Sequence, residues 1–176
     1  MPKPRKMLGS ATSPYILSLM KLIDTQSKAT IAKWCMDYAE AYILPVFEKH
    51  CPGDNRPRAA IAAARDWFEG RKKLPEVRNI ILNECHAAAR ELDDNPAAQA
   101  AARACGQASA CFHTPTHSLG LAFYGAAAIA YDRLGLNEKP EIYDRIAAEE
   151  CAKMEAALRA VAVENEPNPA KINWNC

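Results

Sequence analysis

The sequence predicts an all-α fold, a single-domain bundle of about six to seven Ala-rich helices around a buried central helix at about 115–134. The chain has 176 residues, of which 49% are hydrophobic and only 7% aromatic, and much of the apolar content is Ala, the strongest helix former. Apolar residues recur at three- and four-residue steps, and no strand-like alternation stands out. Between Pro115 and Tyr131 no side chain is formally charged apart from whatever charge His117 carries, so we expect this segment to be buried within the protein.

The order of these signals divides the chain into three parts. We expect a flexible N-terminal tail at 1–11, a helical domain at 12–163 and an extended C-terminal tail at 164–176. The prolines of the last segment cannot continue a helix, because proline lacks the N–H that the helical ladder needs. We expect this tail to run over the surface and to be anchored by Ile172 or Trp174.

Capping signals place the first two helices. Ser13 followed by Pro14 predicts a short helix, and its buried side is expected to come from Leu17 and Met20, with Ile16 and Ile23 as further candidates. Ser27 caps a second helix with one apolar stripe, formed by Ile31, Trp34, Cys35, Tyr38, Ala41, Tyr42 and Pro45. Pro45 is expected to kink or end this helix.

The next two helices follow turn sequences. Asn55 and Pro57 start a helix that ends at Gly70, and its buried residues are expected to be Ala60, Ile61, Ala64, Trp67 and Phe68. Pro75 opens another helix, on which one face carries Val77, Ile81, Cys85, Ala88 and Leu92. On a helical wheel His86 falls away from that face.

The last three helices include the uncharged one. Asn95 and Pro96 start a helix that runs to about Phe112. Thr114 is expected to cap the uncharged helix at Pro115, and Gly135 ends it. Asn137 or Lys139 begins the final helix, whose near-heptad stripe consists of Tyr143, Ala147, Cys151, Met154, Leu158 and Val161. This stripe fits either a homodimer or a partner helix of the same chain.

Charge and cysteine content argue against several classes of protein. The chain has 22 basic and 21 acidic residues, whereas a nucleic-acid binder usually shows a basic excess. No apolar run is long enough to span a membrane. The first ten residues lack the apolar segment of a signal peptide, and the seven cysteines are odd in number and widely spaced. We expect reduced thiols in a cytoplasmic protein.

His113 and His117 are the strongest candidates for chemistry. The spacing H-x3-H places two imidazoles on one face of a continuous helix, as zinc sites require, but the Thr114–Pro115 pair between them predicts a helix break. His86, with Cys105 or Cys111, would complete such a site. The structural alternative places His113 at a helix C-terminus, where a cation is favoured, and His117 in the first turn of the next helix.

Asp54, Asn55 and Arg56 form the second candidate region. They stand in a polar, turn-forming segment, and binding residues are often carried by loops on a rigid scaffold. Arg is also a frequent hot-spot residue in protein interfaces. The alternative is a simple helix start with Asn55 as its cap.

Together these residues carry a resemblance to a known family. The stretches that match it are LGSATSPYILSLMKLIDTQSK, IAKWCMDYAEAYILPVFEK, DNRPRAAIAAARDWFEG, NECHAAARELDDNPAAQAAARACGQAS, FHTPTHSLGLAFYGAAAIAYDRLG and AAEECAKMEAALRAVAVENEPNPAKINWNC. At these stretches the chain resembles bacterial immunity proteins of the immunity-5-like family, which belong to polymorphic toxin systems. DNRP with a downstream Trp, NPAAQAAAR and HTPTHSLG are together fairly specific.

The resemblance implies an all-helical, non-enzymatic protein without a cofactor that binds and neutralises a cognate protein toxin. The contact residues we predict are Asp54, Asn55 and Arg56 at one turn and His113, Thr114 and His117 at the other. The residues themselves leave one alternative open. It is a small metal-dependent or ligand-binding helical protein centred on His113 and His117, with His86 as a further ligand.

Overall fold

The computed structural model describes residues 3–175, which form seven helices and no strand. The helices are α1 (Pro14–Ile23), α2 (28–50), α3 (Arg56–Phe68), α4 (74–90), α5 (Pro96–Ala110), α6 (His117–Leu134) and α7 (Pro140–Val161). The predicted all-α bundle is therefore confirmed. Residues 1, 2 and 176, at the outer ends of the two predicted tails, lie outside the described residues, and so does the seventh cysteine.

Two helices, α5 and α6, occupy the centre of the bundle. Twelve of the 15 residues of α5 and ten of the 18 residues of α6 are buried, so the uncharged segment that the sequence marks as central shares that place with the helix before it. Most of the buried residues are Ala, whose small side chain lets helix axes approach closely. The first turn of α5 is capped as predicted, since Asn95 Oδ1 accepts the Ala98 N–H at 3.1 Å.

The other helices cover this central pair. α2, α3 and α4 pack against α5, and α7 packs against α6, α1 and α2. The stripe of α7 is thus used within the chain: all its predicted members are buried except Val161, which is half exposed. None of the helices in residues 3–175 combines the length and the apolar character needed to cross a bilayer.

A π-helical turn interrupts both α2 and α4, at Ala39–Ile43 and Ile80–Cys85. Such a turn holds more residues than an α-helical turn and therefore shifts the register of everything after it. In α2 the predicted stripe is wrong beyond Tyr38, because Tyr42 is 58% exposed and Phe47 is fully buried.

The same turn explains the behaviour of Pro45. It lies in the first turn of the α-helical segment Leu44–His50, where a missing N–H is tolerated. The helix therefore continues to His50, so of the two predicted effects of Pro45, a kink or an end, the end is wrong.

Three other details differ from the prediction. In α1 the buried residues are Ile16, Leu19 and Ile23, whereas Leu17 is 43% exposed, because a ten-residue helix offers the core only one narrow face. Phe68, in the last turn of α3, is also exposed. The cap of α6 is Thr116, since the chain makes successive turns from Ala110 to Thr116 before the helix starts at His117.

Both end segments are fastened to the bundle. Leu8 is buried and its N–H donates to the Phe123 carbonyl at 3.2 Å, so this part of the predicted N-terminal tail packs against α6. The Tyr131 hydroxyl donates to the Arg5 carbonyl at 2.7 Å. At the other end Trp174 Nε1 donates to Asp24 Oδ1 at 2.9 Å.

Candidate functional site

Three of the four histidines line one small cavity, here called the histidine pocket. It has a volume of about 180 Å³ and lies between α4, the end of α5 and the start of α6. Its lining residues are Arg78, Ile81, Leu82, His86, Ala110, His113 and His117. The structure therefore brings together the two histidines of the H-x3-H pattern and the third one that the sequence suggested.

His86 reaches the pocket because of the π-helical turn Ile80–Cys85, which directly precedes it. A regular helical wheel turns His86 away from the buried face, and that prediction is wrong because the turn shifts the register. The ring then lies against Gly106 of α5, where an added Cβ would stand 2.5 Å from Cε1 and 2.8 Å from Nε2 of the imidazole. No larger residue fits at position 106 with the ring in place.

His117, the first residue of α6, is oriented by α5. Its Nδ1 donates to Gln107 Oε1 at 2.6 Å, which leaves Nε2 with the lone pair in the neutral ring. Gln107 in turn occupies space next to Gly120, where an added Cβ would lie 2.5 Å from Cγ and 2.6 Å from Oε1. Two glycines of the central helices thus make room for groups that hold the histidines.

His113 lies in the turn after α5, at the end of a row of aromatic rings. Its ring centroid is 4.9 Å from that of Phe112, which is itself 4.5 Å from Trp67. The His113 and His117 centroids are 6.1 Å apart. Nδ1 of His113 is buried and has no hydrogen-bond partner within residues 3–175.

Burial and basic neighbours favour the neutral form of all three imidazoles. Burial lowers the pKa of His86, and the charges of Arg90 and Arg103 lower it further. Burial also lowers the pKa of His113, assisted by Arg78, and that of His117, assisted by His113. The pocket is therefore lined by uncharged imidazoles beside the permanent charge of Arg78.

These shifts predict a loss of stability in mild acid. The unfolded chain titrates its histidines near 6.5, so below about pH 6.5 it binds more protons than the folded protein does, and the free energy of unfolding falls as pH drops toward the lowered folded pKa values. Urea denaturation between about pH 7.5 and 5 measures this slope. The triple variant His86→Gln, His113→Gln, His117→Gln is expected to flatten it, and an unchanged slope would contradict the assignment.

The pocket does not have the arrangement of a metal centre. Within residues 3–175 no group of three or more His, Cys, Asp or Glu side chains is placed to hold a metal ion. Cys105 and Cys111, the proposed sulfur ligands, are buried and do not line the pocket. The structure therefore gives no support to the metal-dependent alternative.

The turn Asp54–Asn55–Arg56 is a brace between helices. The Arg56 guanidinium donates to both carboxylate oxygens of Asp54 and both of Glu91, at 2.7–3.2 Å. These contacts lower the pKa of Asp54 and Glu91 and raise that of Arg56. Asp54, Asn55 and Arg56 do not line the histidine pocket, and their partner Glu91 follows the C-terminal end of α4. The two predicted contact regions do not form one compact site.

A larger groove, of about 580 Å³, lies beside the π-helical turn of α2 and has no counterpart in the sequence analysis. It is lined by Tyr38, Tyr42, Val46, Ile129, Asp132, Arg133, Glu150, Lys153, Ala156 and Ala157. Its charges are paired with one another: the buried carboxylate of Glu150 accepts from Arg133 at 3.0 Å and Lys153 at 2.7 Å, and Asp132 accepts from Lys49 at 2.8 Å. Each of these charged side chains therefore already has a partner of opposite charge, for which a ligand would have to compete.

Sequence reasoning missed Arg78, Gln107, Gly106 and Gly120. The two glycines carried a signal, because Gly is unfavourable in a helix interior and each interrupts an Ala-rich helix near a histidine candidate. Arg78 carried none, since an arginine on an exposed helix face is ordinary. Gln107 could not be identified from the sequence because its hydrogen-bond partner, His117, lies on the next helix.

Comparison with known protein families gives a match over most of the chain. A family described as "Imm-5 like putative immunity protein" matches residues 21–157, a range that includes the histidine pocket and the Asp54 turn. No curated protein and no solved structure shows a significant match.

Proposed function

Since the chain belongs to the Imm-5-like family of immunity proteins, we propose that it protects a bacterial cell by binding a cognate toxin. Binding is stoichiometric and neutralises the toxin by covering part of its surface, without catalysis. The complex forms in the cytoplasm, which agrees with the free thiols of the six described cysteines.

The toxin contacts the protein at the mouth of the histidine pocket. The observation that carries this placement is the exposed side chain of Leu82, 51% accessible, on a π-helical turn that lines a preformed pocket. π-helical turns occur frequently at functional sites. Preformed pockets reduce the ordering that binding requires. Two of the predicted contact residues, His113 and His117, line the same pocket, and Thr114 lies between them.

Other surfaces support the proposal less well. Arg56 is bonded to Asp54 and Glu91, so a partner would have to displace these carboxylates to use its charge. The charges in the larger groove are likewise paired internally. Leu82 and Arg78, by contrast, are exposed side chains at the edge of a cavity.

Leu82→Asp tests this placement. A buried anchor at the centre of an interface contributes about 2 kcal/mol or more, so the variant is expected to bind the toxin encoded by the adjacent gene about 30-fold more weakly. Titration calorimetry measures the affinity, and co-expression with the toxin measures protection of growth.

Leu136→Asp is the matched control, because Leu136 is also exposed, at 43%, but lies after α6 and away from the pocket. It is expected to bind and protect as the unchanged protein does. If Leu82→Asp and Leu136→Asp bound the toxin with equal affinity, the pocket would not be part of the interface. If the unchanged protein neither bound the toxin nor protected growth, the proposed function itself would be wrong.

A further inference from the structure

We propose that the histidine pocket is a carboxylate-binding site, which receives an Asp or Glu side chain of the toxin and takes up a proton on an imidazole as it fills. The source of the carboxylate rests on the proposed function. The chemistry of the site does not, and it can be measured on the protein alone.

The charges around the pocket favour an anion. Among the residues that line the cavity, Arg78 carries a permanent positive charge, His86, His113 and His117 are basic, and none is acidic. Arg90 and Arg103 add further positive charge near His86, and Arg78 acts on His113. Arg78 lines the cavity and takes part in none of the ion pairs of residues 3–175. Its charge is therefore available to a ligand.

Guanidinium geometry favours a carboxylate over a spherical anion. Arg presents N–H donors in a planar fork that matches the two oxygens of a carboxylate. A cavity of about 180 Å³ is small, and the apolar side chains of Ile81, Leu82 and Ala110 line it together with Arg78 and the three imidazoles. An acidic side chain fits this lining, because its planar carboxylate matches the guanidinium and its short aliphatic stem matches the apolar wall.

The hydrogen bond of His117 explains why a proton accompanies the ligand. Its Nδ1–H is committed to Gln107 Oε1, so in the neutral ring Nε2 carries a lone pair and repels a carboxylate oxygen. Protonation from solvent turns Nε2 into a donor and adds a second cation to the lining of the cavity that Arg78 also lines. A bound carboxylate must then raise the imidazole pKa, and by linkage a lower pH must tighten binding.

The construction of the pocket is an independent sign that its shape matters. Gly in place of Ala weakens a helix interior by about 1 kcal/mol, yet both central helices carry one here. Gly106 leaves room for the ring of His86, and Gly120 leaves room for the amide that orients His117. Two glycines that are unfavourable for helix stability thus make room for one particular arrangement of the imidazoles.

Acetate is the probe for this site. NMR titration of the four histidines in about 0.2 M sodium acetate, compared with sodium chloride of equal ionic strength, reports each imidazole pKa. We expect acetate to raise the pKa of His117 or His113 by about half a unit or more. The ring signals of His50, which bonds Asp132 on another part of the surface, are expected not to respond to acetate.

Arg78→Gln is expected to abolish the acetate response, and Arg145→Gln, at an exposed position of α7, to preserve it. Because both side chains are exposed, neither change disturbs the core. No pKa change in the unchanged protein, or an equal change after Arg78→Gln, would overturn the carboxylate site. Tighter binding of inorganic phosphate than of acetate would overturn the assignment of the ligand class.

Binding of the toxin is the second test of the carboxylate site. The toxin's affinity for the protein is expected to increase as pH is lowered from about 8 to 6, by up to tenfold per unit for one linked proton. An acetate response without toxin binding would support the carboxylate site but contradict the proposed function. Toxin binding that does not depend on pH and is unchanged by Arg78→Gln would support the proposed function but show that the carboxylate site takes no part in it.

Discussion

Replacing Phe47 by Ala is expected to lower the free energy of unfolding by about 3–5 kcal/mol, the range found for aromatic residues deleted from a core. Phe47 is the largest fully buried side chain described for this chain, and it lies in α2 after the π-helical turn Ala39–Ile43. Deleting it removes apolar contacts and leaves a cavity that the surrounding helices fill only partly.

Tyr42→Ala is the matched comparison. Tyr42 belongs to the apolar stripe of an uninterrupted helix, but in the structure its side chain is 58% exposed and contacts Tyr38 at a ring-centroid distance of 4.7 Å. We expect this change to lower the free energy of unfolding by about 1 kcal/mol or less. The large difference between the two variants follows from the shifted register.

Urea denaturation followed by circular dichroism measures both free energies. If Tyr42→Ala proved the more damaging change, α2 would have a regular register and the π-helical turn would not exist. If Phe47→Ala prevented folding altogether, Phe47→Leu would still rank the two positions, because it keeps much of the buried apolar volume.

The double variant Gly106→Ala, Gly120→Ala is expected to abolish both the acetate response and protection against the toxin while the protein stays folded. A Cβ at position 106 overlaps the ring of His86, and one at position 120 overlaps Gln107. The ring has a cavity of about 180 Å³ beside it, so it moves into the pocket and occupies the space of the ligand. His117 loses the acceptor that fixes its orientation.

The same substitutions favour the helices themselves. Ala is preferred over Gly in a helix interior by about 1 kcal/mol, which offsets the cost of moving the two side chains. We therefore expect a urea midpoint equal to or above that of the unchanged protein, together with complete loss of binding. Such a combination separates a binding role of the two glycines from a packing role.

Gly125→Ala is the control for this pair. Gly125 is also a helical glycine, but a Cβ there meets the flexible ends of Met154 at 3.0 Å and Ile43 at 3.2 Å, away from the pocket. We expect it to keep the acetate response. Retention of toxin binding by the double variant, or an equal loss in Gly125→Ala, would contradict the role given to Gly106 and Gly120.

The ends of the helices could be predicted from the sequence because they depend on neighbouring residues. Asn95 caps α5 through its own side chain, and Gly135 ends α6 with φ +70°, a conformation that glycine adopts without a steric penalty. Proline at the start of several helices acts equally locally, since it fixes φ and lacks an N–H that would have no partner there. The all-α fold and the family resemblance rest on the same local and compositional signals.

The histidine site could be predicted only in part. His113 and His117 were found because they lie four positions apart in the H-x3-H pattern, and their approach across the Thr114–Pro115 turn depends on how α5 and α6 pack. The position of His86 depends on the π-helical turn of α4, which no residue pattern marks. A π-helical turn is stable only when surrounding helices bury the shifted register, so its position is a property of the packed bundle.

Composition and local signals therefore define seven helices, most of their boundaries and the candidate imidazoles, because a cap or a proline acts within a few residues of itself. The register after each π-helical turn, the pairing of Arg56 with Glu91 and the enclosure of three histidines beside Arg78 arise when the helices pack. These features join residues that are distant along the chain, and the free energy that selects them comes from burial of side chains between helices.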